Sequence, residues 1–294
     1  DTMIETRLLQ YFLAVAREQN ITKAAKTLYI TQSTLSKQMM DLENQLGKKL
    51  FVRGKRKITL TEEGFFLKNR AQEIIELLEN TETALQAEEE TLSGEICIGC
   101  GETVAMDAIV SLIKAFHDQY PNVRFRTYSE NADGVLEKID KGLVDMGLLL
   151  GPIRREQYDY INIHKKDVYG LLVPKDCLLA QQDVIQIDQL KELPLIMSDQ
   201  IYQGHQNVDW FNSASLHIVA TYNLIYNATF MVEQGLGYAL CLDKLVNTTG
   251  RNLIFKKIEP EISVDLYIVT KKYRTFSPAA KAFLQRVKDY GNRP

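Results

Sequence analysis

Hydrophobic residues recur at helical spacing at the start of the chain. Leu8, Phe12 and Val15 lie three or four positions apart, which predicts an amphipathic helix. A second short helix is predicted over residues 23–28, with Thr22 as its N-cap, because a side-chain oxygen there can accept a hydrogen bond from the first helical turn. The first segment therefore begins as closely joined helices.

A third helix is predicted from a Thr31 cap to about Gln45. Gly47 is placed to end this helix, because glycine adopts the left-handed C-terminal conformation at low cost. The two faces of the helix differ in character. The apolar face carries Leu35, Met39, Leu42 and Leu46, and the opposite face carries Gln32, Ser33, Ser36, Lys37 and Met40.

Two short extended segments then flank the basic turn at 54–57, which predicts a β-wing. A long helix is predicted from Thr61, with Glu62 and Glu63 stabilised at its positive end. Alternating spacings of four and three residues predict a heptad seam, formed by Leu67, Ala71, Ile74, Leu78, Thr81 and Leu85. An isolated helix is marginal in water, so we favour a partner helix from a second subunit; the alternative is packing onto the chain's own body.

Beyond residue 95 the pattern changes to strands that alternate with amphipathic helices. This alternation predicts a doubly wound α/β region of roughly 200 residues. The predicted strands are 96–99, 123–128, 144–150, 169–174, 193–198, 218–221, 238–242 and 266–270, and the predicted helices are 106–119, 133–141 and 277–290.

The formal net charge of -3 conceals an uneven distribution. Residues 1–60 carry eleven Lys or Arg against five Asp or Glu, whereas residues 61–94 carry two against nine. The remainder of the chain is close to neutral. A basic first segment on a neutral body predicts a polyanionic partner for that segment alone.

The polar face of the third helix carries side chains that DNA bases can bind. Gln can pair with adenine, Ser and Thr can donate or accept, and Lys can reach guanine or phosphate. The candidates for base contacts are Gln32, Ser33, Thr34, Ser36 and Lys37. The candidates for the neighbouring backbone or minor groove are Arg53, Lys55, Arg56 and Lys57. The alternative is a polar helix and a basic loop that face water.

These segments also carry a resemblance. Residues 9–16, 21–28, 31–38, 41–47, 50–53 and 60–64 closely resemble the LysR-type transcriptional regulators, with small, apolar and basic positions in register over more than fifty residues. The departures are mild: Asn20 and Thr31 replace a common serine, Ser33 and Thr34 replace a frequent Pro-Ala, and Lys37 replaces a frequent arginine. Weaker matches occur at 142–147 and 232–240.

The resemblance implies an α+β and α/β multidomain chain. Its parts would be a winged helix-turn-helix, a long dimerising linker helix and a two-lobed effector domain similar to the type 2 periplasmic binding proteins. The implied domains are 1–60 for DNA binding, 61–91 for the linker and 92–294 for the effector, with lobe one at 92–162 and 266–294 and lobe two at 163–265. The implied partners are double-stranded DNA, a second copy in a homodimer or homotetramer, a small-molecule effector and RNA polymerase. No cofactor or metal is implied.

Candidate effector contacts follow from the strand order. In open α/β sheets, ligands bind outside the carboxyl ends of the strands. This rule selects Cys100, Glu102, Thr103, Glu130 and Asn131 in lobe one and Ser198 and Tyr202 in lobe two. Helix N-termini there would favour an anionic effector, whereas Glu102, Glu130 and Asp199 oppose one. Each residue has a cap or loop role as its alternative.

The sequence leaves two other classes of function open. A small-molecule enzyme with an added helical domain is one, although no G-x-G-x-x-G, P-loop, G-x-S-x-G or H-E-x-x-H motif occurs and no catalytic residue is predicted. A solute-binding protein is another; the absence of a visible secretory signal opposes it and favours the cytoplasm. No apolar run is long enough for a membrane span.

A cysteine-based oxidant sensor is a narrower alternative. It requires two thiols that can meet. Cys97 and Cys100 fall in one predicted strand and would point to opposite faces, and Cys177 and Cys241 are far apart in the sequence. The sequence therefore does not favour this function.

Overall fold

The computed structural model describes residues 4–54, 57–86, 92–151, 156–204, 211 and 215–292. The chain separates into two compact units, Asp1–Leu85 and Gln86–Pro294. Each unit has a hydrophobic core of its own. In the described ranges, no helix combines the length and the apolar character that crossing a membrane requires.

Three helices build the core of the amino-terminal unit: α1 (Thr6–Glu18), α2 (Ile21–Thr27) and α3 (Gln32–Leu46). Phe12 and Val15 of α1 and Leu35 of α3 are fully buried. Ala24 and Ala25 of α2 are buried with them. Their small side chains let the three helix backbones approach one another closely, so a short helical segment can enclose a complete core.

The ends of α3 are set by two residues that the sequence predicts. The Thr31 hydroxyl accepts a hydrogen bond from the Thr34 N–H, as an N-cap does. Gly47 follows the last helical residue with a φ of 63°, in the left-handed region where glycine carries no steric cost. Both predictions are confirmed.

The predicted start of α2 is wrong. Asn20, and not Thr22, is the N-cap, and its side-chain oxygen accepts a hydrogen bond from the Lys23 N–H at 2.9 Å. The helix therefore begins at Ile21. Asn is at least as good an N-cap as Thr, and the cap that lies nearer to the end of α1 prevails.

The predicted wing is present as two short strands. β1 (Phe51–Arg53) and β2 (Ile58–Leu60) pair antiparallel, with Phe51 opposite Leu60. The long helix α4 (Glu62–Gln86) follows directly. The Thr61 hydroxyl accepts a hydrogen bond from the Gly64 N–H at 3.0 Å, which satisfies one of the free donors at the start of α4.

The predicted heptad seam of α4 divides into two parts. Ala71 is fully buried and Leu67 packs beside it against the core of the same unit, so this part of the seam packs onto the chain's own body. Further along, Ile74 is 48% exposed and Leu85 is 81% exposed. The carboxyl-terminal part of the seam therefore presents apolar side chains to solvent in this structure.

The first lobe of the carboxy-terminal unit is a mixed sheet in the order β4-β3-β5-β12-β6. These strands are β3 (Gly94–Cys100), β4 (Val123–Ser129), β5 (Met146–Leu150), β6 (Tyr158–Val173) and β12 (Ser263–Lys271). Strand β3 runs parallel to both β4 and β5. The helices of this lobe are α5 (Met106–Gln119), α6 (Ala132–Asp140) and α9 (Pro278–Gly291).

Two apolar clusters show that both faces of this sheet are covered. Ile109 of α5 and Phe283 of α9 pack in one cluster, and Val135 of α6 packs in another. Cys100 belongs to the first and Cys97 to the second, which confirms that they point to opposite faces of β3. Burial on both faces accounts for the apolar residues of the central strand β5, as in parallel sheets, whereas the edge strand β4 carries exposed polar residues.

The second lobe continues from β6 in the order β6-β10-β8-β9, with β11 paired to both β6 and β7. Its strands are β7 (Val184–Gln186), β8 (Leu195–Ser198), β9 (Ile218–Tyr222), β10 (Tyr238–Leu242) and β11 (Ile254–Glu259). Its α-helices in the described ranges are α7 (Asp199–Tyr202) and α8 (Ile225–Glu233), and short 3-10 helices span Leu178–Gln181 and Ile187–Glu192.

Strand β6 is much longer than the predicted strand at 169–174. It pairs with β12 as far as Val168 and with β10 from Tyr169, so it joins the two lobes across the expected boundary near residue 163. Strands β7 and β11 and helix α8 are absent from the predicted elements. Helix α8 has apolar residues on both its buried and exposed sides, such as Val232 and Tyr226, and so it lacks a clear helical period.

Candidate functional site

The exposed face of α3 is the first candidate site. Gln32, Ser33 and Lys37 are exposed. On the opposite face, Leu35 is fully buried and Met39 is 1% exposed. The helix is thus held by its apolar side and offers its polar side outward, which is the arrangement that a groove-reading helix needs.

The hydroxyl groups at the start of α3 are partly occupied. The Thr31 hydroxyl lies 3.0 Å from that of Ser33 and 2.7 Å from that of Thr34. Both predicted contact residues therefore also belong to the cap of the helix. Ser36 is half-buried, which leaves Gln32 and Lys37 as the longest exposed side chains of the predicted set.

The wing carries the other predicted DNA contacts. Arg53 lies in β1 opposite Ile58; its side chain, together with Lys55 and Arg56, lies outside the described residues. Lys57 is exposed at the start of β2. Lys57 therefore places a positive charge on the surface beside the wing.

Glu43 of α3 is a buried acid that the sequence analysis did not single out. Its carboxylate accepts hydrogen bonds from the Leu50 N–H at 2.8 Å, the Phe51 N–H at 3.2 Å and the Lys49 ammonium at 2.9 Å. Burial alone would raise the pKa of Glu43, but these hydrogen bonds outweigh it, so its pKa is lowered. Glu43 therefore fastens α3 to the start of the wing.

The second candidate site lies where the carboxyl ends of the strands in both lobes meet. Cys100 ends β3 beside Ser129 at the end of β4, with their sulfur and oxygen 3.8 Å apart. In lobe two, Ser198 ends β8 beside Tyr222 at the end of β9. Loops and helix N-termini converge at such edges, and ligands bind there in open α/β sheets.

A hydrogen bond joins the two edges. The Ile225 N–H, at the start of α8 in lobe two, donates to the Glu102 carboxylate of lobe one at 2.5 Å. Burial raises the pKa of Glu102, and this hydrogen bond lowers it only in part. Glu102 thus acts as the anion at a helix N-terminus, a position that favours negative charge.

The other predicted effector residues have mixed surroundings. The Thr103 hydroxyl accepts from the Ala105 N–H at 3.0 Å, and the Asn131 side chain caps α6 by accepting from the Gly134 N–H at 2.9 Å. Thr103 and Asn131 therefore have local capping roles, which the sequence left open as the alternative to effector contact. The other three residues have fewer hydrogen bonds to neighbouring residues. Glu130 accepts a hydrogen bond from the Tyr128 hydroxyl. Ser198 precedes α7 without capping it, and Tyr202 is 61% exposed.

Asp167 is a functional candidate that sequence reasoning missed. It is 2% exposed, and both of its carboxylate oxygens are buried without a hydrogen-bond partner in the described structure. Burial raises the pKa of Asp167, and the nearby Thr103 side chain and Val104 N–H offset this rise only in part. Its position in β6 carried no signal, because the predicted strand began two residues later and left this acid in an apparent loop.

Tyrosine and cysteine side chains near the candidate site are buried or half-buried. Tyr222 donates to the Leu240 carbonyl at 2.7 Å, and burial raises its pKa well above the usual range. Burial raises the pKa of Cys241 to about 12, and the pKa values of Cys97 and Cys100 are raised for the same reason. Thiols of this kind stay protonated and unreactive at neutral pH. The described residues also contain no cluster with metal-ligand composition.

Two segments of the chain match known families. Residues 6–65 match "Bacterial regulatory helix-turn-helix protein, lysR family". Residues 89–292 match "LysR substrate binding domain". The two matches together span nearly the whole chain, and each falls on one of the two candidate sites.

Relatives of the full length are found among bacterial regulators. The uncharacterized HTH-type transcriptional regulator YfeR of Shigella flexneri is 27% identical over 290 residues, which cover 97% of this chain and 93% of YfeR. The Hca operon transcriptional activator HcaR of Escherichia coli (strain K12) is 28% identical over 293 residues, with 97% and 98% covered.

Solved structures share the fold over the full length. CbnR, a LysR family transcriptional regulator, has a TM-score of 0.77 at 19% identity, with 99% of this chain and 100% of that chain covered. Full-length CbnR complexed with its target DNA has a TM-score of 0.76 at 20% identity, with 98% and 100% covered. At these identities the likeness shows a common fold.

Proposed function

We propose that the two candidate sites of this chain, which belongs to the LysR family of DNA-binding transcriptional regulators, work together. Helix α3 inserts into the major groove of operator DNA, and a small molecule bound between the lobes regulates the complex. The observation that carries the DNA role is the exposed polar face of α3 above fully buried apolar residues.

The residues of α3 have separate roles in this proposal. Gln32 and Lys37 read base edges, because they are exposed and their side chains are long enough to reach them. The shorter Ser33, Thr34 and Ser36 approach bases or phosphates near the helix start. Arg53, Lys55 and Arg56 of the wing neutralise the neighbouring backbone, which gives affinity without sequence information.

The homo-oligomer is supported by α4. Ile74 and Leu85 of the predicted heptad seam are 48% and 81% exposed, and apolar side chains at heptad spacing are covered in a coiled pair. A dimer would present two α3 helices to a dyad-related operator. We infer that residues 1–60 form the DNA-binding part, residues 61–91 the linker and residues 92–294 the effector-binding part. We further infer that RNA polymerase is a partner and that the protein acts in the cytoplasm.

The effector role is supported by the joined strand edges. Cys100, Glu102, Glu130 and Ser198 lie at the ends of strands or in the loops that follow them, and Tyr202 is the last residue of the short helix α7, which follows β8. A ligand that prefers one relative arrangement of the lobes shifts the population toward that arrangement. Binding rather than turnover is then sufficient for regulation.

The DNA role is tested by comparing two substitutions on two duplexes. The full chain first selects a duplex from a randomised library, and a scrambled duplex of the same composition serves as the non-specific target. In anisotropy titrations, Gln32→Ala is expected to weaken the selected duplex about tenfold and the scrambled one little. Lys55→Ala is expected to weaken both and to reduce the salt slope by about one.

Gln72→Ala is the matched control, because Gln72 is an exposed glutamine that belongs to α4 and not to α3. It is expected to bind both duplexes like the unmodified chain. Equal losses for Gln32→Ala and Lys55→Ala on every duplex would contradict the assigned roles. Failure of the full chain to enrich any duplex would contradict the DNA-reading function itself.

A further inference from the structure

Asp167 lies where β6 passes from one lobe to the other. The neighbouring Val168 pairs with Ser263 in lobe one, and Tyr169 pairs with Leu242 in lobe two. The carboxylate of Asp167 faces the Thr103 side chain and the Val104 N–H, but neither reaches it as a hydrogen bond of normal geometry. The side chain is therefore directed at the loop that follows β3.

Buried polar groups in folded proteins are nearly always hydrogen-bonded, so an exception requires a reason. A buried carboxylate without a partner is costly, since it has lost water and gained nothing in return. Asp167 is such a group, with both oxygens unsatisfied in the described structure. A hydrogen-bond donor that carries a positive charge would offset this cost.

The same loop presents a second carboxylate. Glu102 immediately precedes Thr103 and is half-buried. Among the described residues, its hydrogen-bond partner is a neutral backbone N–H, that of Ile225. Two acids thus flank one short loop, and the charge of neither is compensated by a cationic side chain in the described structure.

Two other acids of this unit bind arginine side chains. Glu233 binds Arg251 at 2.6 Å, and Asp145 binds Arg274 at 3.1 Å. The fold thus provides arginines for Glu233 and Asp145, and in the described ranges it provides none for Glu102 and Asp167. The neighbouring strand ends carry neutral groups, such as Ser129 and Tyr222, and the further acid Glu130 after β4.

We propose that the effector of this chain carries a protonated amine, which binds between the lobes to the carboxylates of Asp167 and Glu102. The inference rests on the effector site proposed above and names the chemical class of its ligand. An ammonium group supplies several N–H donors and a positive charge, and charge-assisted hydrogen bonds are the strongest that carboxylates make.

An anionic effector fits this site less well. The N-terminus of α8 is the natural position for an anion, but the Glu102 carboxylate already binds there. A second anion would have to displace Glu102 and would approach Asp167 at the same time. Like charges in a poorly solvated site repel strongly, so carboxylates and phosphates are disfavoured.

The test uses two matched series of probes on the full chain. One is benzylamine, benzyl alcohol and benzoate; the other is 1,4-diaminobutane, 1,4-butanediol and succinate. Binding is measured by calorimetry at neutral pH and constant ionic strength. In at least one series, the amine is expected to bind ten times more tightly than the alcohol, and the carboxylate is expected to bind more weakly still.

Two isosteric variants locate the binding site. Asp167→Asn and Glu102→Gln are each expected to weaken amine binding at least tenfold, because each removes one negative charge without changing side-chain size. Asp188→Asn is the control: it removes an exposed acid of lobe two that binds Lys191, and it should leave amine binding unchanged. If one variant fails to fold, the other still decides the result.

Several results would overturn the inference. If benzoate or succinate bound more tightly than the amines, the proposed ligand class would be wrong. The effector site itself would then remain, with the opposite charge preference. Amine binding that survives both variants, or no amine binding at 10 mM in either series, would overturn the inference as well. Loss of DNA recognition by the full chain is a separate result, because it concerns the regulator function and not the ligand class.

Discussion

Among the described residues, each unit buries one acidic side chain, and the two units satisfy these side chains in opposite ways. Glu43 in the amino-terminal unit is 7% exposed and Asp167 in the carboxy-terminal unit is 2% exposed. Glu43 accepts hydrogen bonds from Lys49, Leu50 and Phe51, whereas Asp167 accepts none within the described structure. The pKa of the first is lowered and that of the second is raised.

This difference separates a structural polar group from a binding one. The amino-terminal unit satisfies its buried acid internally and directs Gln32 and Lys37 outward, so its ligand is met on the surface. The carboxy-terminal unit leaves Asp167 unsatisfied inside, as a site does when its partner is a separate molecule. Glu43, with three donors, therefore stabilises the fold, and Asp167, with none in the described structure, is the acid that we assign to the ligand.

The largest expected effect is that of Glu43→Ala. The substitution leaves the buried Leu50 N–H and the Phe51 N–H without an acceptor, so it should destabilise the amino-terminal unit by about 3 kcal/mol. Urea unfolding of the full chain, followed by circular dichroism, measures this loss. Asp41→Ala removes an exposed acid of the same helix and should cost far less; equal losses would show that Glu43 has no special role.

Asp167→Asn is expected to act in the opposite direction. Removing an uncompensated buried charge should stabilise the carboxy-terminal unit by about 1 kcal/mol, since the amide is less costly to bury than a carboxylate. Differential scanning calorimetry of the unliganded chain measures the gain. Asp159→Asn alters an exposed acid of the same strand and should be neutral. A marked loss of stability in Asp167→Asn would mean that this carboxylate is satisfied in solution.

Thr31→Ala should have a similar or smaller effect on the amino-terminal unit. It removes the N-cap of α3 and exposes the Thr34 N–H, at a cost of about 1 kcal/mol. Thr22→Ala is the matched control, because Thr22 lies inside α2 and Asn20 provides the cap. Thermal unfolding of the two variants should separate them, and the reverse order of stability would refute the capping assignment.

The smallest expected effects are the opposite pH slopes of the two acids. The lowered pKa of Glu43 means that its stabilising contribution is complete above its ordinary value of 4.5 and is lost as pH falls through the folded-state pKa. The raised pKa of Asp167 means that stability from this group increases as pH falls from the folded-state pKa to its ordinary value of 3.8.

Unfolding measured between pH 3 and 7 for the unmodified chain, Glu43→Gln and Asp167→Asn separates these contributions. The difference between the unmodified chain and Glu43→Gln should shrink only toward the acidic end. The difference for Asp167→Asn should begin to shrink at a higher pH. Slopes of the same sign for both acids would remove the distinction between the two units.

Much of the amino-terminal unit could be predicted because its information is local. The α3 cap, its terminating glycine and its apolar face depend on residues within one or two helical turns. The error at Asn20 was also local, since two adequate caps lie two residues apart. In the carboxy-terminal unit, helix 106–119 was predicted at its observed bounds, but α8 was missed because it is apolar around most of its circumference.

The candidate sites differ in the same way. The exposed face of α3 follows from helical periodicity, so Gln32 and Lys37 could be identified from their positions. The strand ends at Cys100 and Ser198 followed from the rule for open sheets. The capping role of Asn131 and the contact between Glu102 and Ile225 could not be derived, because the latter joins residues 123 positions apart.

The sequence by itself determined the helices and wing of the amino-terminal unit, the alternation of strands and helices beyond residue 95, the basic first segment and the polar face of α3. These features depend on neighbours along the chain and on composition. Only the tertiary structure decided which acids are satisfied. Glu43 and Asp167 look alike as single carboxylates beside apolar residues. Their different states arise because folding brings backbone donors and an ammonium group to one carboxylate and, in the described structure, leaves the other buried without them.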